Sequence, residues 1–454
     1  MTLRFVRGAL LALLVGTLAG CATHLSGPFA LSIAVSANFG ASEPAIALAG
    51  DGTRHYAWIE CANGCRLIYS RMRLNRELER LTFFPAVPGD FYRSPDIAVA
   101  ESGDAYIVWR HSPDVGLAWT DYFVRVPATI SGTPAPERIA PAGSLGDTAP
   151  QVVARGATVY AVYTVLRAGG DGSDLYARRL DSAAAALPVS TSPNKTIANP
   201  RAVVDSAGAI HLAFEFLGTA TTFQALFYAK PADSVLTPFR SGSSSSDLYG
   251  PPDITVNAAN TAYVAYGLPG ASDQLSLYTR TAAGTTADTP LPLDAAADPW
   301  RLGHAPRLAF ASPGLELSIA FVASNGDTPG TDEVWLYTLG APTPLARLTS
   351  TAARESQPAL VGTALSPVVA WRTVDPARPT CQTDVFAWDS AGGLRAVQAA
   401  GDSHCYRGLD LAVAGQWVGG AWVNPAPAGS PAIQGGVPWT AYGVEAVFVP
   451  LIAR

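Results

Sequence analysis

The chain has little charge and almost no lysine: 15% of its 454 residues are Asp, Glu, Lys or Arg, and lysine stands only at Lys195 and Lys230. Arginine carries nearly all the positive charge, the net charge is −6, and no basic run accumulates. That argues against a nucleic-acid partner, which needs a clustered basic face for phosphate. Helical apolar periodicity is nearly absent beyond the N-terminus, which excludes a helical repeat. There is no G-x-S-x-G, H-E-x-x-H, C-x-x-C or G-x-x-x-x-G-K, so serine-elbow, zinc-protease, thiol-redox and phosphate-loop chemistry have no motif to rest on.

What is present is a repeat, of which Ser94 to Arg110, SPDIAVAESGDAYIVWR, is the clearest copy. Aligned on its last aromatic, the copies end at Trp58, Trp109, Tyr163, Phe214, Tyr266, Phe321, Trp371 and Trp422, at intervals of 50 to 55 residues. Upstream of the first seven stand Pro44, Pro95, Pro150, Pro200, Pro252, Pro306 and Pro358, which are expected to mark strand starts, where a missing N–H costs no ladder bond. An aromatic-rich third run follows, as at Leu67–Tyr69, Leu117–Trp119 and Val385–Trp388, then a weaker fourth, as at Leu78–Phe84. Four short strands per unit at this period predict an all-β fold, an eight-bladed β-propeller of four-stranded antiparallel blades, with seven blades the alternative count. The last unit is one strand short, and Phe29 to Val35 is expected to complete it, leaving no free sheet edge.

Residues 1–20 stand apart from the fold. Arg4 and Arg7 precede a short apolar stretch, Gly8 to Leu18, too short to span a bilayer comfortably, and Leu18-Ala19-Gly20-Cys21 follows. LAGC resembles the lipobox of bacterial lipoproteins. The resemblance implies cleavage before Cys21, lipid on its thiol and on the new amino terminus, and, with Ala22 next, an extracytoplasmic place on the outer membrane where the cell has one. The expected organisation is a signal peptide at 1–20, a lipidated tether at 21–28 and a single β-propeller domain at 29–454, monomeric and anchored to the membrane.

Four further cysteines in an exported chain suggest disulfides. Cys61 and Cys65 flank an Asn-Gly turn, and Cys381 and Cys405 would tie unit seven to its link into unit eight; a metal site is the competing reading, with only His404 nearby. No metal or cofactor is expected otherwise, except that calcium is possible at Asp171–Asp174 or at Asn325–Asp327 and Asp332–Glu333, stretches that read equally as turns. His55 and His211 fall inside second strands and are expected to be packed, whereas His111 and His304 are expected in loops.

Function has to come from loops. Several between-blade links combine acid, aromatic and arginine: Asp90-Phe91-Tyr92-Arg93, Asp298-Pro299-Trp300-Arg301 with His304, Arg354-Glu355, and Asp402 through Tyr406 to Arg407. Tyr92, Arg93, Trp300, Arg301, His304, Arg354, Tyr406 and Arg407 are the candidate ligand-binding residues, since guanidinium forks take carboxylates or sulfates and aromatic faces suit sugar rings. Equally, an element recurring at equivalent places can simply pin each blade to the next.

The P-x-[IV]-A…G…Y-[IV]-x-W units resemble those of bacterial sialidase-like (BNR-like) propellers over the mature chain. In that superfamily an arginine triad holds the substrate carboxylate, a Tyr paired with Glu is the nucleophile and an Asp is the acid. Here the S-x-D-x-G-x-x-W box and the Arg-Ile-Pro motif are missing and the unit count is eight rather than six, so no catalytic residue is assigned. The leading expectation is a non-enzymatic lipoprotein that binds a glycan or a protein. A glycan-cleaving hydrolase or lyase acting on acidic sugars is the second reading and an envelope scaffold the third.

Overall fold

A computed structural model describes residues 33–36, 41–61, 65–73, 76–87, 90–113, 118–170, 172–191, 195–217, 223–241, 251–268, 272–293, 300–311, 316–324, 332–350, 354–362, 366–374, 383–389, 393–398, 407–414, 417–425 and 442–450. These residues form eight four-stranded antiparallel sheets, and among them the only helical turn is a 3-10 turn at Pro231–Asp233. The first strands of sheets one to eight are Ala41–Leu48, Phe91–Val99, Gln151–Arg155, Thr196–Val204, Asp253–Val256, Arg301–Ala311, Arg354–Gly362 and Arg407–Ala414. Sheet eight takes its fourth strand from the other end of the chain: Ile33–Ser36 pairs antiparallel with Tyr442–Pro450. Each first strand touches the next in order, and the eighth touches the first again. The arrangement is consistent with a β-propeller. Cys21, Cys381, Cys405 and Tyr406 lie outside the described residues.

The core lies between sheets rather than inside one of them. Trp109 of sheet two packs with Ile59, Leu67 and Phe83 of sheet one; Tyr163 with Val108 and Phe123; Phe214 with Val162; Tyr266 with Leu226; Phe321 with Leu277; and Trp371 with Val322. Trp58 of sheet one packs with Ala421 of sheet eight. The recurring aromatic is therefore the wedge that each sheet offers its predecessor, a dispersion-rich contact that explains its period. Second strands such as Ile210–Leu217 are buried on both faces, so they read as unbroken apolar runs.

Prolines behave differently from the expectation. Only Pro150 and Pro252 directly precede a strand. Pro44, Pro95, Pro200, Pro306 and Pro358 sit inside first strands, at register breaks between Ser42 and Ala45, Arg93 and Asp96, Ala198 and Arg201, His304 and Arg307, and Ser356 and Ala359. A bulge leaves a residue out of the ladder, so the absent N–H is costless there as well. In three of these bulges the residue before proline takes a left-handed backbone: Glu43 (φ 50°), Ser94 (φ 50°) and Asn199 (φ 49°). The break in sheet eight falls at Gly408 instead.

Two other expectations shift. The third strand of sheet two is Thr120–Val126, not Leu117–Trp119; Tyr122 takes the place opposite Trp109, with the rings stacked at 5.9 Å. His111 and His304 lie in strands rather than loops. His55 and His211 are packed as expected: Nδ1 of each meets a tyrosine hydroxyl, Tyr69 at 2.9 Å and Tyr228 at 2.6 Å, and His211 Nε2 adds Asp205 at 3.0 Å. Burial holds His55 largely neutral, down to about 3.

Candidate functional site

The chain enters each sheet beside the start of the previous sheet's third strand, and the residue there decides how the junction is held. In sheet five that residue is Asp273. Its N–H donates to the Trp300 carbonyl at 2.8 Å, its Oδ2 accepts the Leu302 N–H at 2.9 Å, and Oδ1 lies 3.4 Å from Arg301. Ser173 of sheet three makes the same pair of contacts to sheet four, through the Lys195 carbonyl and the Ile197 N–H. Trp300 belongs to the core: it is 5% exposed and meets Trp335 edge-on at 4.8 Å. At sheet six, then, the aromatic and the arginine pin one sheet to the one before it.

Sheet two is built otherwise. Tyr92 is opposite His111 and Arg93 is opposite Arg110 in the ladder. Tyr92 is buried with its ring stacked on His111 at 4.8 Å, and His111 Nε2 lies 3.1 Å from Asp90. Burial, with Asp90 and Tyr122 nearby, pushes the Tyr92 hydroxyl well above its usual range. Arg93 is exposed, and its guanidinium sits over the Trp119 ring at 5.8 Å, while Arg110 sits over the same ring at 5.2 Å. Arg110 is committed: it donates to the carbonyls of Gly146 at 2.7 Å and Asp147 at 3.1 Å and lies 3.4 Å from Asp121. Arg93 is not; among the described residues no carboxylate pairs with it. Two like charges facing each other across a ladder is an arrangement that sheets ordinarily avoid.

Asp121, directly opposite Arg110, is 1% exposed, and burial pushes its carboxyl up to about 7 against the pull of Arg110. Gly146 is what lets the next loop pass over it: a Cβ there would stand 2.6 Å from Asp121 Oδ2. In sheet one the corresponding corner is closed, since Glu60 accepts from Trp58 at 3.0 Å, Arg66 at 3.1 Å and Arg80 at 2.9 Å. Of the calcium stretches, Asp171 and Asn325–Asp327 lie outside the described residues, Asp174 pairs with Arg167 and Glu333 with Arg347 at 2.8 Å, and no cluster able to hold a metal occurs among the described residues.

Of the candidate residues, therefore, Tyr92 and Arg93 come together with Trp119, Arg110 and His111, whereas Trp300 and Arg301 belong to a separate pin. His304, Arg354 and Arg407 are described by backbone alone, as strand residues. Arg110, Trp119 and Asp121 were not singled out by the sequence; their sign is the arginine one residue after the Trp109 wedge.

No family model matches the chain, and no curated protein matches it. Among solved structures, the polysaccharide lyase Uly1 is similar at 9% identity, covering 94% of this chain and 100% of that one, with a TM-score of 0.51. The BP39L lectin from Burkholderia pseudomallei is similar at 12% identity, covering 80% of this chain and 100% of that one, with a TM-score of 0.47. The Hadza microbial sialidase Hz136 is similar at 10% identity over 91% of this chain, at a TM-score of 0.41, and the chain spans 66% of its length. At 9% identity the likeness to Uly1 is one of fold.

Proposed function

We propose that this chain is a carbohydrate-binding module whose eight sheets are the eight blades of one closed propeller, and that the mouth beside sheet two receives an acidic sugar. The observation that carries the reading is Arg93: an exposed guanidinium, free of carboxylates among the described residues, held over the half-buried ring of Trp119 with Arg110 locked behind it. A guanidinium fork binds a carboxylate or sulfate at two points, and an indole face beside it packs against a sugar ring. The N-terminal LAGC segment supports lipid attachment at Cys21 and a place on the outer face of a membrane. Cys61 and Cys65 stand directly opposite each other in the ladder, a separation a disulfide spans, and in an exported chain they would form one.

Binding is favoured over cleavage. Among the described residues, the carboxyl at this mouth raised toward neutrality is Asp121, which is covered by the Gly146 loop and cannot touch a substrate from where it stands. The test is a thermal-shift and calorimetry series of residues 22–454 against acidic and neutral oligosaccharides. An acidic oligosaccharide should raise the melting temperature, and Arg93→Gln should weaken its binding about tenfold or more with no loss of stability. Binding unaffected by Arg93→Gln, or release of shortened sugar on incubation, would overturn the reading.

A further inference from the structure

The first-strand position just after each bulge or proline is the same in all eight sheets. It is the residue opposite the one before the aromatic wedge, and it holds Ala45, Asp96, Gln151, Arg201, Asp253, Arg307, Ala359 and Asp410. Since the first strands follow one another around a ring, five charges of both signs stand at one level about its axis. All five are half-buried, and Asp96, Arg201 and Asp410 are enclosed by protein yet reached by solvent, as groups lining a narrow channel would be.

The carboxylates in this collar are tied down. Asp96 Oδ2 accepts the Val152 N–H of sheet three at 2.8 Å, Asp253 Oδ2 the Leu308 N–H of sheet six at 2.8 Å, and Asp410 Oδ2 the Ile46 N–H of sheet one at 3.0 Å. Each acid thus joins its sheet to the next one. The guanidiniums are not held in this way. Neither Arg201 nor Arg307 hydrogen-bonds or ion-pairs with any described residue, and the charge that bears most on Arg201 is that of Arg307. The collar acids Asp253, Asp96 and Asp410 offset part of that repulsion from a distance, but none of them bonds to either guanidinium, so the donors of Arg201 and Arg307 are left for a ligand.

We propose that the collar is a ligand site separate from the mouth of sheet two, in which Arg201 and Arg307 together hold the carboxylate of a small hydroxylated acid on the axis. Asp253 lies between them in the ring and its Oδ1 has no bond to a described residue. It would accept from a ligand hydroxyl and repel an anion that has no hydroxyls to offer, so the site suits a sugar acid better than a bare oxyanion. Gln151 offers donors and acceptors on the far side of Arg201. The proposal does not rest on Arg93.

Calorimetry at constant ionic strength with glucuronate, glucose and sulfate, on wild type and on Arg201→Gln, Arg307→Gln and Arg93→Gln, tests it. Glucuronate should bind in preference to the other two, and each collar variant should weaken, about tenfold or more, the glucuronate binding that persists when the mouth site is removed by Arg93→Gln. If a Gln variant fails to fold, Arg201→Lys or Arg307→Lys keeps the charge without the fork and should still lose affinity. Affinity lost only in Arg93→Gln, or retained in both collar variants, overturns the site. Sulfate binding as tightly as glucuronate overturns the sugar-acid assignment.

Discussion

Sheets two and six receive the chain through nearly the same words, Asp-Phe-Tyr-Arg and Asp-Pro-Trp-Arg, and make opposite uses of them. At sheet six the arginine leans back on Asp273 of sheet five and the tryptophan is sunk in the core. At sheet two the tyrosine is sunk against His111, and the arginine is left over Trp119 of its own sheet. The cause lies one sheet upstream. Asp273 stands three residues before Ser276, which pairs with the wedge Tyr266; in sheet one the residue three before Ile68, which pairs with Trp58, is Cys65. A cysteine offers no carboxylate to the arriving arginine. Whether a repeated arginine is a pin or a hand is thus decided by a residue in a different unit, some thirty residues earlier in the chain.

The comparison breaks most readily through Asp273. Asp273→Ala orphans the buried Leu302 N–H and removes a carboxylate partner of Arg301, and urea unfolding should show a loss of about 2–3 kcal/mol. Most of that comes from the N–H, because Arg301 is 49% exposed and its ion pair is screened. Arg93→Ala should cost less than about 0.5 kcal/mol, as a surface change does. Equal losses would mean that Arg93 is a pin as well.

Much of this was legible in the sequence and some was not, for reasons that particular residues make plain. The wedge aromatics could be counted because each fills the same gap between neighbouring sheets, so spacing alone revealed the units. His55 and His211 could be read as packed because they fall between apolar neighbours in second strands. Five of the seven prolines, Pro44, Pro95, Pro200, Pro306 and Pro358, were misread as strand starts because a bulge and a strand start both spare an N–H, and only the register tells them apart. Trp300 looked like a ligand platform because a core aromatic and an exposed one are spelled alike. The collar could have been seen by lining up the residues that follow Pro95, Pro200, Pro252 and Pro306, where charge alternates from unit to unit, but only the ring makes those positions neighbours.

The comparison sharpens through a graft. Cys65→Asp, made together with Cys61→Ser so that no lone thiol remains, places at sheet one the carboxylate that sheet five has. It should draw Arg93 back as Asp273 draws Arg301, and affinity for an acidic oligosaccharide should fall by about the tenfold that Arg93→Gln costs. Unchanged affinity would mean that the residue upstream is not what frees the arginine.

The smallest effect expected is in the pH dependence that sheet two contributes through Asp121. Its carboxyl is raised from its usual 3.8 to about 7 by burial, so between those values the folded protein holds a proton that the unfolded chain releases. The sign follows: the contribution to stability is greatest below about pH 4, declines as pH rises toward 7, and is flat above. One such group gives at most about 1.4 kcal/mol per pH unit. Asp96, raised to about 7, and Asp410, raised to about 6, slope the same way from the collar, as does Glu215, raised to about 7, whereas His55, lowered to about 3, slopes the other way below its usual 6.5. Asp121→Asn removes its own slope whatever it does to stability overall, and a set of urea midpoints from pH 4.5 to 7.5, roughly spanning that window, reads the difference from wild type. A slope identical to wild type would mean that Asp121 is ionised throughout and that Arg110 is fully engaged by it. That would leave Arg93 as the sole uncompensated charge at this mouth and strengthen the contrast with sheet six.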